Sequence, residues 1–87
     1  MSTTVMTDKQ ARANIAANVT RLRGDRSRYW LAQRCGTHPI HITRIERAEN
    51  LPTAGLLARL AEALETSTDA LLSMDATAAE KKMAMPA

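Results

Sequence analysis

The stretch SRYWLAQRCGTHPIHITRIER, residues 27–47, decides the fold of this chain of 87 residues. It predicts two short helices separated by a tight turn at Gly36, because glycine readily takes the left-handed conformation that closes a helix. Ser27 is a favourable N-cap for the first of these helices. Pro39 suits the first position of the second helix, which makes His38 its cap residue.

The second of these helices has two distinct faces when its residues are placed at about 100° intervals. Ile42 and Ile45 fall together with Glu46 beside them, and they form an inner face. The outer face is expected to be free to contact another molecule, and it carries Ile40, Thr43, Arg44 and Arg47. Ala32 in the preceding helix allows a close approach, so the stretch has the pattern of a helix-turn-helix.

Three further helices are predicted outside this stretch, and no segment alternates like a β-strand. The first begins near Asp8 and ends at Gly24, a fourth begins after Thr53, and a short fifth begins after Ser67. We therefore predict an all-α protein. The predicted division of the chain is a flexible arm at 1–7, one domain at 8–73, and a flexible tail or dimerisation extension at 74–87.

Charge is distributed unevenly along the chain. Residues 9–47 hold nine Lys or Arg against two acids, whereas residues 48–87 hold three against six. A basic front half suggests a surface that meets a polyanion such as nucleic acid. A solvated helical surface would explain the same charges, so charge alone leaves both interpretations open.

Composition argues against a metal site, a cofactor and catalysis. Cys35, His38 and His41 are evenly spaced, but a structural zinc site takes about four ligands and Cys35 is the only cysteine. Paired carboxylates, a Gly-rich phosphate loop and a Ser/His/Asp set are all missing from the pattern. We expect no enzymatic activity, no metal and no cofactor.

The same composition predicts the compartment. A single cysteine excludes an internal disulfide and is typical of a reducing environment. The first ten residues, MSTTVMTDKQ, have no apolar signal region, and no apolar run approaches membrane length. We expect a cytoplasmic protein with no membrane partner.

The order of motifs resembles the Xre family of helix-turn-helix regulators, the group that includes the repressors and Cro proteins of lambdoid phages. The matching segments lie in unbroken order at 18–23, 27, 31–32, 36, 42–47, 52–53, 60–64 and 67–72. The resemblance implies a compact five-helix, lambda-repressor-like domain whose second and third helices form the helix-turn-helix. It also implies binding to double-stranded DNA as a homodimer, with the third helix in the major groove of a palindromic site.

The resemblance places base contacts at the start of the third helix and one turn further on, at His38, Pro39, Ile40 and Arg44. An arginine at position 44 suits the O6 and N7 atoms of guanine, and the branched side chain of Ile40 suits a thymine methyl group. Phosphate contacts are expected from Arg28, Thr43 and Arg47.

Glu46 resembles the inward-facing acid of the family, which pairs with an arginine at the end of the first helix. Arg23 is the better candidate for this structural ion pair, and Arg21 is the partner that an ungapped alignment would select. Arg28 stands where the family usually has Gln; we expect it to keep the phosphate contact but to brace the third helix less. Ala48 and Glu65 replace frequent turn glycines, so each turn is either strained or takes another path.

These features predict a transcriptional regulator, associated with the nucleoid, that represses by occupying a promoter. The dimer interface is expected on the fifth helix and the tail, which holds Met74, Met83 and Met85. The alternative is a protein-interaction module, such as an antitoxin or anti-regulator, that binds a partner protein. Tyr29 and Trp30 motivate this alternative, although packing against the first or fourth helix would also explain them.

Overall fold

The computed structural model describes residues 5–74 and contains five helices in this part of the chain. Their bounds are α1 Asp8–Arg23, α2 Arg28–Cys35, α3 Pro39–Glu46, α4 Ala54–Ala63 and α5 Thr68–Leu72. No strand occurs between residues 5 and 74. The predicted all-α, five-helix fold is confirmed. Most of the predicted arm and tail, including Met83 and Met85, lies outside the described residues.

Side-chain hydrogen bonds cap the N-termini of four of the helices. Thr7 and Gln10 form a capping box, in which each side chain bonds to the backbone of the other residue at 3.1 and 2.8 Å. Hydroxyl groups cap the starts of α2, α4 and α5, as the sequence predicted, at Ser27, Thr53 and Ser67. His38 occupies the cap position of α3 without a side-chain bond, and Pro39 follows it at the first position.

One core of buried side chains unites the helices. It comprises Ile15 and Val19 of α1, Leu31, Ala32 and Cys35 of α2, Ile42 and Ile45 of α3, Leu60, Ala61 and the following Leu64 at α4, and Leu71 of α5. Burying one such leucine or isoleucine stabilises the fold by about 1.5–3 kcal/mol. Because α3 contributes its inner face to this core, its orientation is fixed from within.

A buried asparagine, which the sequence pattern did not reveal, joins the two ends of the described chain. Asn18 is 6% exposed, and its Nδ2 donates to the carbonyl oxygens of Leu71 and Ser73 at 2.7 and 2.9 Å. Asn14 donates in the same way to the carbonyl of Leu72 at 3.0 Å. These bonds satisfy carbonyls that the end of a helix leaves without partners, so α1 caps α5.

In two turns, a residue other than glycine adopts the left-handed backbone conformation that glycine usually adopts there. Ala48 has a φ of 59° and Glu65 a φ of 56°, in the left-handed region that glycine favours. The amide of Glu49 still bonds to the carbonyl of Arg44 at 2.9 Å, which closes α3. Of the two possibilities considered for these turns, strain is the one observed.

Candidate nucleic-acid interface

The crossing of α2 and α3 depends on small and branched side chains at the predicted positions. Ala32 and Ile42 are 1% and 0% exposed, so the two helices are in close contact there. Gly36 has a φ of 65° and closes α2, and the amide of Thr37 bonds to the carbonyl of Ala32 at 3.0 Å. The tight turn therefore sets α3 across α2 with its inner face buried.

The outer face of α3 is open to solvent. Ile40 is 44% exposed, which is high for a branched apolar side chain in so small a domain. The side chain of Arg44 is exposed and makes no hydrogen bond or ion pair within residues 5–74. Arg47 is exposed and lies 3.5 Å from the carboxylate of Glu49, a weak surface pair. The face thus offers a guanidinium, an apolar surface and a second cation.

The other assigned residues lie at the leading edge of this face and, for Thr43, within it. His38 is exposed at the leading edge and Pro39 is half-buried. Thr43 is also half-buried, and its hydroxyl donates to the carbonyl of Pro39 at 3.2 Å. His41, which was not assigned a contact, is exposed, and its Nδ1 lies within hydrogen-bond distance of the Thr37 hydroxyl, at 2.8 Å.

A buried carboxylate ties α3 to the two preceding helices. The Glu46 side chain is 1% exposed and receives two hydrogen bonds from Arg23, from Nε at 2.6 Å and from Nη2 at 2.9 Å. Arg28 Nε donates to the same carboxylate at 2.9 Å. Of the two arginines considered for this pair, it is Arg23 that bonds to Glu46.

Arg28 does more than the sequence comparison indicated. We expected the bracing of α3 to be weakened by Arg in place of the usual Gln, but Arg28 does contact Glu46 of α3. Its guanidinium reaches from the first turn of α2 to Glu46 while the side chain stays 43% exposed. Arg28 therefore braces α3 and still presents part of its charge to solvent.

The environment of Glu46 keeps its carboxyl ionised. Burial of the group opposes ionisation, but the hydrogen bonds and charges of Arg23 and Arg28 outweigh burial and hold the pKa of Glu46 below its usual value. The hydrogen bond to Glu46 raises the pKa of Arg23, against the opposing effect of burial. The cluster is therefore charged on both sides at neutral pH.

Residues 5–74 offer neither an accessible thiol nor a cluster of metal-binding side chains. Cys35 is buried at 1% exposure, and burial raises the pKa of its thiol, with the charge of Arg59 acting in the opposite direction. Within residues 5–74, no three His, Cys, Asp or Glu side chains are grouped so that they could hold a metal ion. No helix there is long and apolar enough to span a membrane.

Comparison with known proteins agrees with the geometry of α2 and α3. The helix-turn-helix domain family matches residues 15–73. The crystal structure of a hypothetical transcription factor, NHTF, from Neisseria is similar in fold, with a TM-score of 0.71 and 24% identity over 98% of each chain. No curated protein matches the sequence significantly. Because the family match covers most of the chain, this protein belongs to the helix-turn-helix domain family.

Proposed function

We propose that this protein is a DNA-binding regulator that recognises a specific sequence of double-stranded DNA by inserting the outer face of α3 into the major groove. One observation carries the proposal: α3 is fixed on its inner side, while the side chain of Arg44 on its outer face is exposed and has no partner within the described residues. The major groove admits an α-helix and displays a distinct pattern of donors and acceptors for each base pair.

The base contacts are assigned to the start of α3 and to the residue one turn further on. Arg44 would bond to guanine, and the exposed side chain of Ile40 would pack against a thymine methyl group. His38 and Pro39 precede Ile40 at the leading edge, where they would contact neighbouring bases. Because this edge carries few polar groups, we expect recognition to depend on methyl contacts and on one guanidinium.

The phosphate contacts are assigned to residues that flank this edge. Arg47 and the exposed part of Arg28 supply positive charge for two backbone positions. Thr43 contributes less readily, because its hydroxyl already donates to Pro39 and must rotate before it can donate to a phosphate. Such contacts would position α3 without specifying sequence.

We further propose that the protein acts as a homodimer on a palindromic operator and represses transcription by occupying a promoter. One such domain presents one recognition helix, and two-fold symmetric sites are read by two helices about one turn of DNA apart. Apolar surface is available for self-association: Val5, Met6 and Met74 are 79%, 44% and 88% exposed. Met6 and Met74 line one shallow groove between the start of α1 and the residues after α5.

Selection of bound sites from random double-stranded DNA, repeated at several salt concentrations, tests the DNA proposal. We expect an enriched palindrome with half-sites about 10 base pairs apart. We also expect affinity to fall steeply as salt rises, because phosphate contacts release counterions. A pool with no enriched motif, bound equally well at all salt concentrations, would contradict the proposal.

Light scattering of the complex with the selected site tests the dimer separately. The expected mass is that of one duplex with two protein chains. One chain per duplex at saturation would rule out the homodimer and leave sequence recognition by a monomer.

A further inference from the structure

A cluster of side chains centred on α2 takes no part in the proposed contact with DNA. The cluster, called here the aromatic–arginine surface, consists of Arg26, Tyr29, Trp30, Arg34 and Arg59. The guanidinium carbons of Arg26 and Arg34 lie 4.0 and 5.1 Å from the centre of the Trp30 ring. Tyr29 is 60% exposed beside them, and its hydroxyl accepts a hydrogen bond from Gln33 at 3.0 Å.

This surface points away from the side of α2 that meets α3. At about 100° per residue, Trp30 lies about 160° around the helix from Arg28, and Arg34 lies about 120° from it. Arg28 marks the α3 side, because it bonds to Glu46. Arg34 instead lines a groove with Arg59 and Glu62 of α4. A duplex seated on α3 would therefore leave the surface accessible.

Hydrogen bonds hold two of the arginines of the surface in place, and none of its arginines is in an ion pair with another described residue. Arg26 donates from Nε and Nη2 to the carbonyls of Arg23 and Leu22 at 3.3 and 3.0 Å, which fixes its guanidinium over the indole. Arg59 donates from Nε to the carbonyl of Cys35 at 2.9 Å. None of the three arginines forms a salt bridge among residues 5–74. Glu62 lines the same groove as Arg34 and Arg59, but one carboxylate leaves three guanidinium groups with a net positive charge around the indole ring.

We propose that the aromatic–arginine surface binds an acidic segment of a partner protein, and that it does so while α3 occupies DNA. A guanidinium stacked on an aromatic ring keeps its in-plane N–H donors, which match the two oxygens of a carboxylate. Tyrosine, tryptophan and arginine are also the residues that contribute most to protein interfaces. Trp30 is half-buried and packs against the core, so an acidic segment would place carboxylates on Arg26 and Arg34 and apolar groups on Tyr29 and on the exposed part of Trp30.

The only tryptophan of the chain, Trp30, lies within this surface, so its fluorescence reports on binding directly. The probe is a tryptophan-free synthetic helix with glutamates along one face and leucines along the next. The reference probe carries glutamine at every glutamate position. We expect a saturable change in Trp30 emission with the acidic helix, in the absence of DNA and also when the protein is saturated with its selected site.

Charge reversal identifies the residues responsible. Arg34→Glu should weaken binding of the acidic helix by about tenfold or more, since it removes charge-assisted hydrogen bonds and adds repulsion. Lys9→Glu makes the same change of charge at an exposed position in the first turn of α1 and should leave binding unchanged. Lys9→Glu should melt like the parent, whereas Arg34→Glu should stay folded but melt slightly lower, because Arg34 no longer stacks on Trp30.

Several results would overturn this inference. They are the absence of a saturable change, an equal response to the glutamine helix, and equal affinities of the Arg34→Glu and Lys9→Glu variants. Displacement of the acidic helix by a random-sequence duplex would assign the surface to phosphate binding instead. This inference and the DNA proposal can fail separately. A protein that binds the acidic helix but selects no DNA motif would support the role of the aromatic–arginine surface and contradict the DNA proposal.

Discussion

At the scale of single residues, the orientation of α3 depends most on Glu46. Its carboxylate is 1% exposed and receives hydrogen bonds from Arg23 of α1 and Arg28 of α2. A buried charge is tolerated only where its partners are well placed, and removing one partner commonly costs about 3–5 kcal/mol. The same three residues therefore determine both the stability of the domain and the direction in which the outer face of α3 points.

Replacement of Glu46 by glutamine should destabilise the domain by about 3 kcal/mol at neutral pH, because two guanidinium groups lose their counter-charge. The pKa of Glu46 is lower in the folded protein than its usual value of 4.5, so the ionised carboxylate stabilises the fold above that pH. This contribution is lost as the pH falls through the folded-state pKa. Urea unfolding at a series of pH values should show the difference between parent and variant narrowing below about pH 4.5.

Glu49→Gln is the matched control, because Glu49 is 50% exposed and forms only a surface pair with Arg47. It should change the free energy of unfolding by about 1 kcal/mol or less. A Glu46→Gln variant that is as stable as this control at neutral pH would show that the cluster does not hold α3.

Residue roles were only partly predictable from the sequence. The pairing of Glu46 with an arginine at the end of α1 was anticipated, but the choice between Arg23 and Arg21 needed the structure. The contact of Arg28 with Glu46 was missed, because the reach of a long side chain depends on the distance between two helices. The stacking of Arg26 and Arg34 on Trp30 was missed for the same reason.

At the scale of elements, the turns after α3 and α4 carry measurable strain. Ala48 and Glu65 have φ values of 59° and 56°. A side chain in this region costs about 1–2 kcal/mol, and glycine would relieve that strain, although its greater freedom in the unfolded chain offsets part of the gain. The strain follows directly from the absence of glycine at these two positions.

The variant Ala48→Gly should therefore be more stable than the parent by about 0.5–1 kcal/mol in urea unfolding. The reverse exchange at a comparable turn provides the control. Gly36 has a φ of 65°, and no neighbouring atom lies within 4 Å of the place that an added methyl group would occupy. Gly36→Ala should therefore lose about 1–2 kcal/mol from backbone strain alone. Equal or lower stability of Ala48→Gly would mean that the left-handed turn is not strained.

The contact between α1 and α5 depends on Asn18. Its side chain is 6% exposed and bonds to three carbonyl oxygens at the end of α5, those of Ala70, Leu71 and Ser73. Asn18→Ala should destabilise the domain by about 1–3 kcal/mol in urea unfolding, because buried carbonyls lose their donor. Asn50→Ala is the control, because Asn50 is exposed and its replacement should leave the free energy of unfolding nearly unchanged. Equal stability of the two variants would show that Asn18 does not hold α5 against α1.

The helices were predictable because their signals are local in the sequence, whereas the contact between α1 and α5 has no local signal. Ser27, Thr53 and Ser67 cap helices through neighbours three residues away. Each cap is therefore visible in a short window of sequence. Asn18 bonds to a residue 53 positions further along the chain, and nothing near it in the sequence identifies that partner.

At the scale of the whole molecule, the helices separate two surfaces with different proposed partners. The outer face of α3 is proposed to read DNA, and the aromatic–arginine surface, on the other side of α2, is proposed to bind an acidic protein segment. The uneven charge of the sequence agrees with both, because the basic residues of both surfaces come mainly from the front half of the chain. A regulator built in this way could hold a partner on promoter DNA without moving α3.

The most direct test of the central claim is site selection with Arg44→Ala beside the parent and Arg47→Ala, since Arg47 is exposed and does not hold α3 in place. The account predicts that Arg44→Ala loses preference at one base pair of each half-site, at a cost of about 1–3 kcal/mol for the preferred base. It predicts that Arg47→Ala binds all sequences more weakly and with a flatter salt dependence. Unchanged preference in Arg44→Ala would contradict the claim that the outer face of α3 reads the sequence.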